Sequence, residues 1–160
     1  MMEIFTIGVY HSTEEQFFGK IADNGIDTFI DIRQRRGLRG REYSFANSTY
    51  LQRRLREMGV RYIHIKELAP TTEIRMRQKA DDMRMGEHKR DRNQLGEAFK
   101  RGYEELILSR FDFDTFISQL GTAGAERIVL MCVEENASAC HRSLVAEELR
   151  RRYNMRIINL

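Results

Sequence analysis

Short apolar runs alternate along this chain with segments of helical periodicity, and this alternation constrains the fold more than any other feature. The runs at 4–7, 28–32 and 60–65 are separated by segments whose apolar residues recur every three or four positions. The run at 128–133 is the most apolar and predicts a central strand, and 156–158 predicts a last strand. This order predicts an α/β fold, a three-layer open sandwich with a mostly parallel sheet of about five strands and helices on both faces.

Capping residues indicate where the helices begin. Thr13 and Gln16 form a capping-box pattern ahead of an apolar stripe, and Asp112 precedes a second stripe. Ser48 and Ser138 are predicted to cap two further helices, the latter being the last of the chain.

The whole chain, 1–160, is predicted to be a single domain, because its length favours one core and no linker rich in Pro, Gly or Ser divides it. Segment 71–100 is polar and dense in charge, which predicts a surface helix pair or a lid. No run approaches the ~20 apolar residues of a membrane span, and the first residues lack a signal-peptide pattern. The two cysteines do not make a disulfide framework, so we expect a cytoplasmic protein.

Positive charge is concentrated in one stretch of the chain. Between Arg33 and Arg61 there are nine arginines and two acidic residues. A guanidinium group matches the geometry of phosphate oxygens, which makes the loop arginines candidate phosphate ligands. These are Arg33, Arg35, Arg36, Arg39 and Arg41. Interleaved glycines and nearby aromatic residues suit contact with nucleic acid, whereas a merely solvated arginine-rich face is the alternative interpretation.

Polar residues follow four of the predicted strands at their carboxyl ends, where open parallel sheets bind ligands. They are Tyr10, His11 and Ser12 after the first strand, Asp31 and Arg33 at the second, Lys66 and Glu67 after the third, and Cys132, Glu134 and Glu135 after the fourth. We expect them to converge on one crevice. Asp31 and Glu134 are candidate acid/base residues, and Tyr10, His11 and Ser12 are candidate substrate ligands. For Asp31, an internal ion pair with Arg33 or Arg142 is the alternative.

Cys140, His141 and Arg142 stand where the last helix is expected to start. A helix N-terminus attracts anions, and Arg142 would add a bidentate donor for phosphate. In this position Cys140 can have a lowered pKa and act as a nucleophile, with His141 as general base. The alternatives are a buried structural thiol and a histidine that packs inward to orient a ligand or to bond the backbone.

The spacing of Cys132, Cys140 and His141 predicts no metal site. Seven residues separate the two cysteines, which differs from the usual zinc-knuckle spacing, and no second close pair is present. The gap also differs from a Cys-x5-Arg phosphate loop and argues against a phosphatase-like or rhodanese-like mechanism. We expect no cofactor.

The motifs together resemble a bacterial and archaeal family, the domain of unknown function 488. The resemblance rests on Thr6-Ile7-Gly8, Asp31-Ile32-Arg33, Phe45 with Leu51, Gly59-Val60-Arg61-Tyr62-Ile63-His64, and Leu130 to Glu134 followed by Cys140-His141-Arg142. It implies an intracellular α/β fold and groups Asp31, Arg33, Glu134, Cys140, His141 and Arg142. It implies no reaction.

Three functions are compatible with these features. The first is an enzyme acting on a phosphate-bearing substrate, either a nucleotide or a nucleic acid. The second is a non-catalytic nucleic-acid-binding module that uses the basic surface of 33–54. The third is a protein-interaction domain that docks through 71–100. None of them involves a membrane.

Overall fold

The computed structural model describes residues 1–86 and 95–160 of the chain. Five strands form a single sheet in the order β3-β2-β4-β1-β5, and every neighbouring pair is parallel. The strands are β1 (Glu3–Ile7), β2 (Thr28–Asp31), β3 (Arg61–His64), β4 (Arg127–Met131) and β5 (Arg156–Asn159). The α/β fold class is confirmed, and each strand lies at one of the runs that predicted it.

Helices connect consecutive strands. They are α1 (Glu14–Asp23), α2 (Ser48–Glu57), α3 (Thr72–Met85), α4 (Glu97–Tyr103), α5 (Phe113–Thr122) and α6 (His141–Tyr153). A π-helix over Glu104–Leu108 continues α4 directly. Right-handed crossovers place α1 and α2 on one face of the sheet and α6 on the other, which gives the three layers.

The core lies on both faces of the three inner strands. In the central strand β4, Ile128 and Val129 pair with Ile4 and Phe5 of β1, and all four side chains are fully buried. On one face the ring of Phe17 from α1 packs against β2. On the other, α6 lies against β1, β4 and β5. The edge strands β3 and β5 are half-buried or exposed.

Two of the four predicted helix caps are confirmed. Thr13 Oγ1 accepts the Gln16 N–H at 3.1 Å, and the Gln16 side chain accepts the Thr13 N–H at 2.9 Å, which completes the capping box. Asp112 accepts the backbone N–H of Thr115 at 3.0 Å at the start of α5. Both caps satisfy backbone donors that have no partner within the helix.

The other two predicted caps are wrong by one or two residues. The residue before α2 is Asn47, whose side chain instead accepts the N–H of Leu38 at 2.7 Å and fastens the preceding loop. The residue before α6 is Cys140, because Ser138 lies within a 3-10 turn over Ala137–Ala139.

The polar segment at 71–100 contains α3 and the first residues of α4, and these two helices pack against each other. Ile74 is buried, and the buried Gln78 side chain accepts the N–H of Gly96 at 2.9 Å. Met76 and Met83 are exposed. The central part of the predicted segment, 87–94, lies outside the described residues.

Within the described parts of the chain, no helix combines the length and the apolar character that crossing a membrane requires.

Candidate functional site

The order of the strands defines where a ligand crevice is expected. β2 is followed by a connection to β3 at one edge of the sheet, whereas β4 is followed by a connection to β5 at the opposite edge. β2 and β4 are neighbours, so their connections leave in opposite directions and form a topological switch point. Open α/β sheets bind ligands outside the carboxyl ends of such strands.

Several of the predicted site residues meet at this switch point. Asp31 and Met131 are the last residues of β2 and β4 and pair in the sheet, so Ile32 and Cys132 follow directly after the two strands. His141, the first residue of α6, places Nε2 2.9 Å from the carbonyl oxygen of Ile32. The start of α6 is therefore joined directly to the end of β2.

Asp31 and Arg33 form a buried ion pair. Arg33 Nε donates to Asp31 Oδ1 at 2.9 Å, and its NH2 group donates to Oδ2 at 2.8 Å. The same NH2 group donates to the carbonyl of Ala46 at 2.9 Å. The side chains of Asp31 and Arg33 are 0% and 4% exposed. The geometry therefore matches the ion-pair interpretation of Asp31, and the Arg33 guanidinium faces the interior.

Strand β3 adds two side chains to this pair, and sequence reasoning gave neither a functional role. The Tyr62 hydroxyl donates to Asp31 Oδ2 at 2.7 Å, and His64 Nε2 lies 2.7 Å from the Arg33 carbonyl oxygen. Burial, followed by the hydrogen bond to Asp31, raises the pKa of Tyr62 to about 12 against the opposing effect of Arg36. Parallel pairing of β3 with β2 would have pointed to both residues. It sets His64 beside Asp31, and Tyr62 is two residues earlier on the same strand.

Arg142 is also directed inward. Its side chain is 1% exposed, and it donates to the carbonyl of Glu134 at 2.6 Å and to that of Glu135 at 2.9 Å. Its Nε has no hydrogen-bond partner among the described residues. Gly8 lies against the same backbone, since a Cβ there would be 2.0 Å from the Glu134 carbonyl oxygen. Arg142 thus fixes the loop after β4 onto the end of β1.

Cys132, Cys140 and His141 form a compact cluster, although their spacing predicted no common site. The Nδ1 atom of His141 lies 3.6 Å from Cys132 Sγ and 3.7 Å from Cys140 Sγ. The three donor atoms lie within 4.8 Å of one another, and all three residues are buried. The two cysteines do not form a disulfide with each other.

The surroundings of Cys140 favour the buried-thiol interpretation over the interpretation with a lowered pKa. Burial raises the pKa of its thiol, and the neighbouring Cys132 raises it further. The helix N-terminus does not overcome the loss of hydration at a fully enclosed sulfur. For His141, burial alone would lower the pKa, but Cys132 and the Ile32 carbonyl outweigh it, and the pKa is raised.

Tyr103 is a further member of this region that the sequence did not single out. Its ring centroid is 5.6 Å from that of His141, and its hydroxyl donates to the carbonyl of Leu68 at 2.5 Å. Burial raises the pKa of Tyr103 well above its ordinary value. Helical periodicity places Tyr103 on the buried face of α4 but does not show that it covers His141.

The residues after β1 adopt a tight turn against the end of β4. Tyr10 is buried, with its ring 5.3 Å from that of Tyr43. His11 has a φ of 64°, and its N–H donates to the Tyr43 hydroxyl at 2.9 Å. Its exposed ring lies 4.0 Å from a carboxylate oxygen of Glu135. Ser12 closes the turn, with its N–H donating to the carbonyl of Val9 at 3.1 Å.

The loop after β2 carries the exposed positive charge. It is fastened at its base by the N–H of Ser48, which donates to the carbonyl of Arg36 at 2.9 Å. Arg35, Arg39 and Arg41 are exposed, and their side chains form no hydrogen bond or ion pair with any described residue. Arg36 is half-buried beside Tyr62. Lys66 and Glu67 are exposed after β3.

A separate apolar groove of about 490 Å³ lies between α5 and the edge strand β3. Ile63, Phe111 and Phe116 are among its lining residues. It contains none of the residues predicted to form the site.

The fold and the site define a class of protein: a doubly wound parallel α/β sheet with a buried thiol–imidazole cluster at its switch point. A family model described as domain of unknown function DUF488 matches residues 13–149, and the chain belongs to that family. Neither the curated proteins nor the solved structures provide a match to the chain.

Proposed function

We propose that this protein is a cytoplasmic enzyme acting on a phosphate-bearing substrate, a nucleotide or a nucleic acid, bound above the carboxyl ends of β2 and β4. The observation that carries the proposal is the loop after β2. Its Arg35, Arg39 and Arg41 are exposed, and their side chains have no partner among the described residues. Guanidinium groups in this state can contact phosphate without first breaking an ion pair.

The buried arginines have a different role in this proposal. Arg33 and Arg142 are 3% and 1% exposed, and they bind Asp31 and backbone carbonyls. They therefore position the residues around the crevice, and the exposed loop arginines contact the substrate. Glu134 and Asp31 are the proposed acid/base residues, and His11 is an exposed ligand at the rim.

A non-catalytic nucleic-acid-binding module is the second candidate, and the enclosure of the proposed catalytic groups favours it. Asp31, Cys140 and His141 are all 5% exposed or less. A module needs only the exposed basic surface of 33–54, whereas an enzyme must bring its substrate to these enclosed groups.

Binding is tested with a triple variant, Arg35→Gln, Arg39→Gln and Arg41→Gln. We measure fluorescence anisotropy of labelled single-stranded DNA and RNA over a range of salt concentrations. If all three arginines contact phosphates, the slope of log K against log salt falls in magnitude by about 2. Equal salt slopes for wild type and triple variant would contradict the proposal, as would the absence of binding at low salt.

A matched control changes three arginines of α6 that lie away from the loop. Arg150, Arg151 and Arg152 are paired with Glu147 and Glu148 on the same helix. Replacing all three by Gln alters the net charge of the chain equally. We expect this control to keep most of the wild-type salt slope.

Catalysis is tested separately from binding. A panel of nucleotides and oligonucleotides is incubated with wild type, Asp31→Asn and Glu134→Gln, and the products are separated by chromatography. Circular dichroism first establishes a temperature at which both variants are folded, because Asp31→Asn also breaks the buried pair with Arg33. Turnover by wild type that both folded variants lose supports the enzyme. Turnover that both variants retain rejects these acid/base residues, and binding with no turnover favours the module.

A further inference from the structure

The cluster of Cys132, Cys140 and His141 has the composition of a metal site. Two sulfur atoms and one imidazole nitrogen lie within 4.8 Å of one another at the switch point of the sheet. Cys132 directly follows β4, and Cys140 and His141 lie at the start of α6. The donors are therefore held by regular elements of the fold, and Cys2His is a ligand set that zinc takes in proteins.

The hydrogen bond of His141 directs its other nitrogen at the sulfur atoms. Nε2 lies 2.9 Å from the carbonyl oxygen of Ile32, and a carbonyl oxygen can only accept, so Nε2 carries the hydrogen. In the neutral ring Nδ1 then has a free lone pair, and it faces both sulfurs. A backbone carbonyl that fixes the second nitrogen in this way is the usual support of a metal-binding histidine.

The distances from the imidazole nitrogen to the two sulfur atoms fit a tetrahedral zinc ion. Zinc–sulfur bonds of about 2.3 Å and zinc–nitrogen bonds of about 2.0–2.1 Å at a tetrahedral angle separate sulfur from nitrogen by about 3.6 Å. The observed separations from Nδ1 are 3.6 Å to Cys132 Sγ and 3.7 Å to Cys140 Sγ. The two sulfur–nitrogen separations are therefore those of a zinc-bound set.

A metal ion would bind all three donor atoms at the same time. The Nδ1 atom of His141 offers one lone pair in the plane of the ring, and each sulfur can bind a metal as a thiolate.

We propose that Cys132, Cys140 and His141 together bind one Zn²⁺ ion. On binding, each thiol releases one proton to the solvent and the resulting thiolates and neutral Nδ1 donate to the metal. Within residues 1–86 and 95–160, the cluster supplies three of the four ligands that tetrahedral zinc takes. The proposal depends on the geometry of the cluster and is independent of the phosphate-bearing substrate.

The first test uses the unaltered full-length chain. It is expressed with added zinc, purified without chelator, and its metal content is measured by plasma mass spectrometry. We expect about one zinc per chain. After removal of the metal under reducing conditions, Co²⁺ is titrated in and the absorption spectrum is recorded. Thiolate-to-cobalt charge-transfer bands that saturate at one equivalent support the site.

Variants connect the metal to these residues. Cys132→Ser and His141→Gln are expected to lose the bound zinc, whereas His11→Gln is the matched control because its exposed ring lies outside the cluster and should keep it. Folding is checked by circular dichroism. If the variants do not fold, the cobalt titration of the wild-type chain decides by itself.

Three results would overturn the proposal. One is a wild-type protein that retains no zinc and gives no thiolate-to-cobalt bands. Another is folded Cys132→Ser and His141→Gln protein that retains the full zinc content. The third is a disulfide between Cys132 and Cys140 in protein freshly purified under nitrogen.

Discussion

The buried pair of Asp31 and Arg33 permits the sharpest prediction about the interior. Asp31→Asn removes the carboxylate that neutralises Arg33 and leaves a guanidinium that is 4% exposed without its counter-ion. Removing one partner of a buried pair costs about 3–5 kcal/mol, because the remaining charge has lost both water and its partner. In a chain of this length each kcal/mol lowers Tm by about 2–4 °C, so we expect a decrease of about 6–20 °C.

A double-mutant cycle separates the pair from its surroundings. Arg33→Met is also expected to destabilise the fold, because the donors that the carboxylate then keeps among the described residues are the Tyr62 hydroxyl and one backbone N–H. The double variant carries no buried charge at these positions. It should therefore lose at least about 2 kcal/mol less than the sum of the two single losses.

The assay is urea unfolding followed by circular dichroism, with the slope m compared between variants. Glu147→Gln is the control, because its pair with Arg150 is exposed and should contribute a small fraction of the loss seen at Asp31. Additive single losses, or a loss at Asp31 no larger than at Glu147, would refute the conclusion that the pair is a coupled buried unit.

Two further predictions concern packing and titration. Gly8→Ala should destabilise the fold by about 1–3 kcal/mol, because its Cβ would collide with the Glu134 carbonyl. In the control Gly19→Ala, the added Cβ in α1 meets no atom, and the change should stabilise the fold by about 0.5–1 kcal/mol. Similar Tm values for the two variants would contradict this prediction. The pKa values of the Tyr62 and Tyr153 phenols are raised to about 12, so in an ultraviolet titration both should ionise at a higher pH than an ordinary phenol. Tyr62→Phe should remove one of the phenols that ionise at high pH. Because folding raises these pKa values, the free energy of unfolding should fall as the pH rises from about 10 to 12. If Tyr62→Phe removed a phenol that ionises near the ordinary pKa, the assignment of Tyr62 would be contradicted.

The strands could be predicted from the sequence because burial of a parallel sheet leaves a direct compositional signal. The run at 128–133 is apolar throughout since β4 has a paired strand on each side and helices over each face. The caps at Thr13 and Asp112 were equally local, because each bond spans three residues. Ser138 failed as a cap because a short 3-10 turn begins before α6, and serine is compatible with both positions.

The sequence could not predict which side chains of the site face the interior and which face the solvent. Arg33 turns inward because Asp31, two residues earlier, and the carbonyl of Ala46 receive its guanidinium, and Ala46 is distant in the sequence. A local excess of arginine predicts a basic surface but does not distinguish Arg33 from its exposed neighbour Arg35. That distinction depends on where the loop returns to the sheet.

The thiol–imidazole cluster of Cys132, Cys140 and His141 could not be predicted from the sequence either, because its residues come from separate elements of the fold. Spacing rules for zinc describe knuckles in which both cysteines belong to one tight turn. Here Cys132 ends a strand, and the chain passes through the turn at Ala137–Ala139 before Cys140 returns to it. Ile32, from a different strand, then orients the His141 ring. A ligand set assembled from separate elements has no fixed spacing, so only the fold can reveal it.

The buried and exposed charges divide the carboxyl edge of the sheet into two parts with different physical roles. Arg142 holds the loop after β4 and Arg33 holds the end of β2, each through bonds shielded from salt by burial. Arg35 and Arg39 are solvated, so their attraction for an anion is screened as salt increases. Salt should therefore weaken binding of the proposed phosphate-bearing ligand at lower concentrations than those that destabilise the folded structure around Arg33 and Arg142. A loss of binding and of thermal stability at the same salt concentration would mean that the two parts are not separate.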